Sequence, residues 1–502
     1  MARRARVLSM ASWASCLVMA PLAAPARADG PIGSNGTPIT TSDYAIDLGA
    51  GPVVAGSRVT GLAGAYVAIS EDVDGNPQNP ASPAVRPGYS LEHFDYHLGL
   101  SLAFPAALGS SDFFNTGGET TMLTSRADSA AFITLAANFQ WGTVGLGITA
   151  DGQTYSLDKR PETDDDGPEI EGLQAVIGGA RVQAANAFFD GQAIAGVGMR
   201  IIGLTVKPPG EDSLFDTRAT GLEAGVLVRP NGAPFRVGAA FQAGVTTGVD
   251  PASQLQPNAV GDIIAMDDLG NAIYLPSAVK LPWRVDVGVA HQWGARPLNP
   301  RWIHPHRFDD PKREAMEKAR QAREAVYRQR MAVLRSEGKD AEMRELRREL
   351  DEHEADDEAE MEAFEQETRR VLRELYVNLP RRYLLLSAQL HLRGAVSQAV
   401  GVESFLQGRV NRSGQQVTAS PRIGIESEVL PNLLRLRAGT YYEPTRFRTS
   451  DGRLHGTLGF DVRLFRWDVF GIKADWYEWR AGGVIDLAAR YLGWGLTVGG
   501  WY

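Results

Sequence analysis

The sequence predicts an all-β transmembrane fold: an antiparallel β-barrel of about fourteen strands, with one α-helical hairpin insertion. Three observations predict it. Short segments alternate apolar and polar residues, tight and long connections alternate between those segments, and the count closes on an even number with an aromatic chain end. Composition agrees by exclusion. The 502 residues are 44% hydrophobic, which rules out wholesale disorder, and a single cysteine rules out a disulfide framework. With 51 basic against 60 acidic residues the net charge is −9, so no nucleic-acid partner is expected. Beyond the N-terminus no apolar run is long enough for a helical membrane span.

Residues 1–28 read as a secretory signal. Arg3, Arg4 and Arg6 precede an apolar stretch from Val7 to Ala24, and Ala26-Arg27-Ala28 supplies small residues before a cleavage point at Asp29. Cys16 leaves with this segment, so the exported chain has no thiol chemistry. Residues 29–87 are rich in Gly, Pro, Asn and Asp and precede the first strand.

The first part of the barrel spans 88–293 and the second 381–502. Leu434-Arg435-Leu436-Arg437 and Leu458-Gly459-Phe460-Asp461-Val462-Arg463 show the alternation that gives a strand one apolar and one polar face. Alternation alone does not separate a soluble sandwich from a barrel. Connection lengths do. Gln140-Trp141-Gly142, Phe189-Asp190-Gly191, 230–234, Pro431-Asn432 and Arg466-Trp467-Asp468 are tight, whereas 158–170 and 250–281 are long and polar. Strands are expected near 89–104, 129–140, 142–156, 172–187, 192–206, 217–229, 235–247, 282–293, 382–392, 417–429, 433–443, 454–465, 468–479 and 484–502, with 393–416 as a loop. Both ends of the chain and all tight turns then share one side, the periplasmic one.

The last strand places Trp494, Leu496, Val498 and Tyr502 on one face. Such an aromatic-ended strand is what the barrel assembly machinery recognises in many outer-membrane proteins. On the polar face of the C-terminal strands stand Arg422, Glu426, Arg435, Arg437, Asp461, Arg463, Lys473 and Asp475. Inside a barrel these must pair with one another, with the plug or with water, and a structural ladder gripping residues 45–85 is the reading adopted.

Residues 306–378 form the insertion. Asp310 as cap and Pro311 in the first turn start one helix, Gly338 breaks it, and a second runs from about Asp340 to Tyr376. Over 310–337 there are eight Lys/Arg against five Asp/Glu, and the middle of the second arm is acidic, so the arms attract as antiparallel partners. The strand count puts the hairpin in the periplasm. Glu352, His353, Asp356 and Asp357 have helical spacing for a metal, but charged helices produce such pairs often, and no metal or cofactor is expected.

Residues 58–82 carry a run in which Gly61, Gly64, Ala65, Ala68, Asp72, Asn79, Pro80 and Ala81 match "GxxGAxxA…D…NPA". The run resembles the N-terminal region of FadL-type and PorV-type outer-membrane proteins. The extra Asn76-Pro77 step and the charged insertion depart from that pattern. The resemblance implies a fourteen-stranded barrel, with residues 29–87 inside it as an N-terminal plug, in the outer membrane of a Gram-negative bacterium and in contact with its lipid. It also implies passage of hydrophobic compounds in the FadL case, or secretion and attachment in the PorV case. The transport reading requires an apolar cavity between plug and wall and a hydrophobic small-molecule ligand. The scaffold reading requires a periplasmic protein partner bound through 306–378. No Gly-x-Ser-x-Gly elbow or comparable nucleophile accompanies the scattered histidines, so no enzymatic activity is expected.

Overall fold

Strand alternation becomes a closed ring in the computed structural model, which describes residues 32–87, 90–105, 112–117, 131–159, 170–208, 212–266, 272–301, 305–448, 450–466 and 478–501. The signal segment, Lys473, Asp475 and Tyr502 fall outside the described residues. Fourteen antiparallel strands make the wall: β1 Phe94–Pro105, β2 Ala131–Trp141, β3 Val144–Lys159, β4 Ile170–Phe188, β5 Ala193–Lys207, β6 Phe215–Val228 and β7 Phe235–Gln242. They continue as β8 Arg284–Gly294, β9 Tyr383–Arg393, β10 Thr418–Leu430, β11 Leu434–Glu443, β12 Arg453–Arg466, β13 Glu478–Ala488 and β14 Tyr491–Gly500. Each pairs with its neighbours in sequence, and β1 pairs with β14 through Leu100 opposite Val498 and Phe104 opposite Trp494. The ring has no open edge, the condition for a sheet to cross lipid, which offers no hydrogen-bond partner.

The first twelve strands lie within a few residues of their expected places. The last two do not. The strands expected at 468–479 and 484–502 are instead 478–488 and 491–500, joined by the two-residue turn Ala489–Arg490 with Arg490 at φ +58°. Pairing decides this: β12 holds Leu458 opposite Ile485 on the outer face, so alternation runs unbroken through 478–488. The turn expected at 466–468 falls on residues outside those described. The Ala489–Arg490 turn also lies at the end opposite the other tight turns, which corrects the expectation that they all share one side.

Residues 393–416 are not a ring strand. Ala399–Gly401 pairs in parallel with Ala45–Asp47, and Ala45–Asp47 pairs in parallel with Ala278–Leu281, in a small sheet built from the long connections. Val402–Leu406 is a short helix, α4 in chain order, and its Val402, Phe405 and Leu406 share an apolar core with Ile32, Ile39, Tyr44 and Ile46. Residues 32–48 are therefore part of a cap at the long-loop end rather than of the lumen filling. From that cap the chain threads the ring to reach β1 at the opposite end. Within the cap, burial and nearby Asp112 push the Glu403 carboxyl up to about 7, while Gln407 donates to it at 3.0 Å. A carboxyl raised above its unfolded value contributes stability at low pH and loses it as pH rises through the folded value. Glu403→Gln is therefore expected to slow amide exchange in 399–410 at pH 8 and to change nothing at pH 4.5, read by hydrogen-exchange mass spectrometry.

The hairpin consists of α2 His306–Ser336 and α3 Asp340–Val377, inserted between β8 and β9. Its start differs from the expected one. The amides of Phe308 and Asp309 donate to Pro305 O at 2.8 and 3.2 Å, so the first turn forms ahead of Asp310, and Pro311 sits inside the helix. Gly338, at φ +68°, turns the chain between the arms. Lys312 pairs with Glu360, and Arg313 with Glu365, across the hairpin; Arg323 meets Asp357, one of the residues with metal-like spacing. Among the described residues no cluster of three or more His, Cys, Asp or Glu side chains is placed to hold a metal.

Candidate functional site: the plug and its two chambers

Residues 57–85 occupy the lumen as turns and one short helix, α1 Ser57–Gly61. Their small residues let backbone meet backbone. A Cβ built on Gly61 would lie 3.3 Å from Gly459 Cα in β12. The wall is cut back to match. A Cβ on Gly196 of β5 would sit 2.0 Å from Pro80 O, on Gly238 of β7 2.1 Å from Val67 O, and on Gly424 of β10 2.6 Å from Leu62 O. These distances are far inside van der Waals contact, so the glycines are the seat into which the plug fits.

Polar side chains then fasten it. Asn79 Nδ2 donates to Val67 O and to Val226 O of β6, both at 3.0 Å, while its Oδ1 accepts from Ala81 N. Asn76 Nδ2 donates to Asn138 of β2 at 2.8 Å, and Gln183 of β4 donates to Asn76 O at 2.8 Å. The extra Asn-Pro step thus serves as a second anchor. Gln389 Oε1 accepts from the amides of Tyr66 and Val67 at 2.9 Å each. Gly64 packs against Arg422, Ala65 and Ala68 are fully buried, and Asp72 caps Val73 and lies 3.6 Å from Arg480.

A chain of alternating charge links plug to wall and back again. Arg58 of the plug bonds both carboxylate oxygens of Glu426 at 2.9 Å; Arg437 bridges Glu426 and Asp461; Arg480 joins Asp461 to Asp74 of the plug at 2.9 Å each. Each buried charge has an opposite partner, the condition for leaving water. Of the residues singled out in the sequence, Glu426, Arg437 and Asp461 meet here. Arg435 stands apart, stacked 4.1 Å over the Trp501 ring, and Arg463 pairs with Glu478. Arg480 was missed because β13 was placed too early in the chain. Arg236 was missed because it follows a tight turn; it bonds Glu71 of the plug at 2.7 Å.

Two chambers flank the plug. The one nearer the cap, about 450 Å³ counting the solvent it opens onto, is lined by residues 49–53 with Arg393, Arg422, Tyr441 and Glu443. The larger, about 900 Å³, lies at the hairpin end. Its wall has an apolar part, Ile69, Leu298, Leu379 and Leu385, but six arginines also line it against three carboxylates. The apolar cavity that the transport reading requires is thus half replaced by cationic surface. Arg229, directly after β6, is 6% exposed, and its Nε has no hydrogen-bond partner among the described residues. Burial, with Arg236 nearby, pushes its pKa down to about 9, which leaves it charged at neutral pH.

The outer surface inverts a soluble protein. Leu135, Val197, Leu222 and Leu458 are each more than half exposed, whereas Gln183, Glu223, Asp286 and Asp461 on the opposite faces of strands are buried. Apolar outside and polar inside, on a ring without edges, suits lipid and not water. The chain is an outer-membrane β-barrel. In this barrel Trp494, Leu496 and Val498 stand on the lipid-facing side of β14, with Trp494 stacked on Phe104 of β1 at 4.4 Å.

No protein-family model and no curated protein sequence matches the chain. Among solved structures, the barrel is similar to a Pseudomonas aeruginosa FadL homologue, at 10% identity and a TM-score of 0.45 over 90% of this chain and 99% of that one. It is similar also to the CymD monoaromatic hydrocarbon channel, at 10% identity and a TM-score of 0.44 over 90% and 96%. The Pseudomonas putida toluene transporter TodX gives 10% identity and a TM-score of 0.41 over 92% and 98%.

Proposed function

We propose that the barrel passes a poorly soluble compound across the outer membrane, and that displacement of residues 57–85 opens the way. The observation that carries this reading is a plug seated inside a closed ring with a chamber at each end. A scaffold has no need of space on both sides of its filling. The sequence resemblance over 58–82 implies this activity in its FadL case and a scaffold in its PorV case. The larger chamber combines an apolar wall with arginines, so the solute it suits has an apolar body and a polar end.

A second reading is a scaffold whose hairpin recruits a periplasmic partner. It is favoured by the reach of α3, 38 residues or about 57 Å at 1.5 Å per residue. Uptake of a radiolabelled alkyl phosphate by cells with and without the gene separates the two. Severalfold faster uptake with the gene is expected. Equal uptake, together with loss of a co-purifying protein when 306–377 is deleted, would sink transport in favour of the scaffold.

A further inference from the structure

We propose that the chamber at the hairpin end is a binding site for an oxyanion, a phosphate group above all, with Arg229 as its principal ligand. This rests on the reading of that chamber as part of the solute route. The first support is Arg229 itself. A guanidinium presents five donors and does not give up its charge readily, so burying it without an acceptor is costly. The acid that acts on it, Glu71, is already paired with Arg58 of the plug and Arg236 of β7. Arg58 is committed to Glu426 and Glu71, and Arg236 spends its donors on Glu71, Ile69 O, Leu298 O and Asn299. The acids of the chamber are thereby claimed by other cations, and no ion pair of Arg229 is present among the described residues.

The second support is the charge of the walls. Of its lining arginines, Arg296 and Arg435 stand 3.6 and 3.5 Å from one carboxylate, that of Glu428. The chamber has three more arginines than carboxylates in its lining. A dianion balances such an excess better than a single carboxylate, and forked N–H groups match a phosphate's oxygens. Beside the arginines, Leu298, Leu379 and Leu385 offer room for an alkyl chain. Tyr376, in the last turn of α3, and Leu379 just after it also line the chamber.

Isothermal titration of the full-length barrel in non-ionic detergent tests this, with octyl phosphate, inorganic phosphate, octanoate and octanol as probes. Octyl phosphate is expected to bind, octanoate more weakly and octanol not at all. Arg229→Gln is expected to weaken octyl phosphate by about ten- to a hundredfold, Arg229→Lys less, and the exposed control Arg301→Gln not at all. Retention of heat-modifiable mobility on gels shows that the variants are folded. Inorganic phosphate binding as tightly as octyl phosphate supports a free-ion site, and octyl phosphate alone supports a phosphate borne on an apolar chain. Octanol binding as well as octyl phosphate, or Arg229→Gln binding unchanged, overturns the proposal. Binding without uptake in cells leaves the site standing and removes the transport reading instead.

Discussion

Replacing Gly196 and Gly238 together by valine is expected to unseat the plug and turn a closed barrel into an open pore. The two glycines lie on β5 and β7, where a Cβ would intrude to 2.0 and 2.1 Å from the carbonyl oxygens of Pro80 and Val67. Neither neighbour is a flexible side chain. Both are plug backbone, already held by Asn79, so they cannot yield locally. Overpacking a filled interior costs about 1–3 kcal/mol per site, or roughly 2–6 kcal/mol for both. That shifts the ratio of seated to unseated plug by about thirtyfold or more. The wall should persist, because valine favours strands and the ladder hydrogen bonds are untouched. Gly152 and Gly456, also in ring strands, have nothing within 4 Å of an added Cβ, so the same change there should be silent. Conductance in planar bilayers reads the difference: steady open-pore current for the Gly196/Gly238 pair and none for the Gly152/Gly456 pair. A pair of silent traces would mean that the glycines do not seat the plug.

Arg437→Met is expected to cost about 3–5 kcal/mol of stability, the second large effect. Arg437 is 3% exposed and lies between the carboxylates of Glu426 and Asp461, which are equally buried. Removing the cation leaves two acids with one partner fewer and no water to replace it. Methionine preserves the volume, so the loss is electrostatic rather than a cavity. Lys312→Met in the hairpin removes a pair of comparable geometry, Lys312 with Glu360, in solvent. There the expected cost is about 0–1 kcal/mol, because water and salt screen the charges. Urea titrations followed by gel mobility should show a clear fall in midpoint for Arg437→Met and none for Lys312→Met. Equal shifts would show that the lumen charges are not an interlocked set.

Strand existence was legible because the period of two is local. It depends on which side chain points which way, and lipid outside with polar groups inside enforces it on each strand separately. Strand ends were legible where a residue announces a turn, as Phe189-Asp190-Gly191 and Asn432 do with their positive φ values. They failed at β13 and β14, where Ala489–Arg490 carries no such signal and register against β12 decides. The plug motif was legible as a run of small residues, yet its partners were not. Gly196, Gly238 and Gly424 look like any strand glycines until the carbonyl opposite each is in view. The same holds for charge. Arg437 and Asp461 could be assigned to one face, but the sequence of pairs from Arg58 through Glu426 and Arg480 to Asp74 joins residues hundreds of positions apart. Arg229 is harder still, since what marks it is that the acid near it, Glu71, is already paired with Arg58 and Arg236.

By itself, the sequence determined the number and faces of most strands, the presence of the hairpin and the greasy exterior, because each follows from side-chain periodicity within one segment. Only the tertiary structure decided where the chain threads the ring, which glycines receive it, and which charges are spent in pairs and which is left over. Those outcomes depend on closure, which brings distant strands around one short segment and excludes the water that would otherwise blur every difference between them.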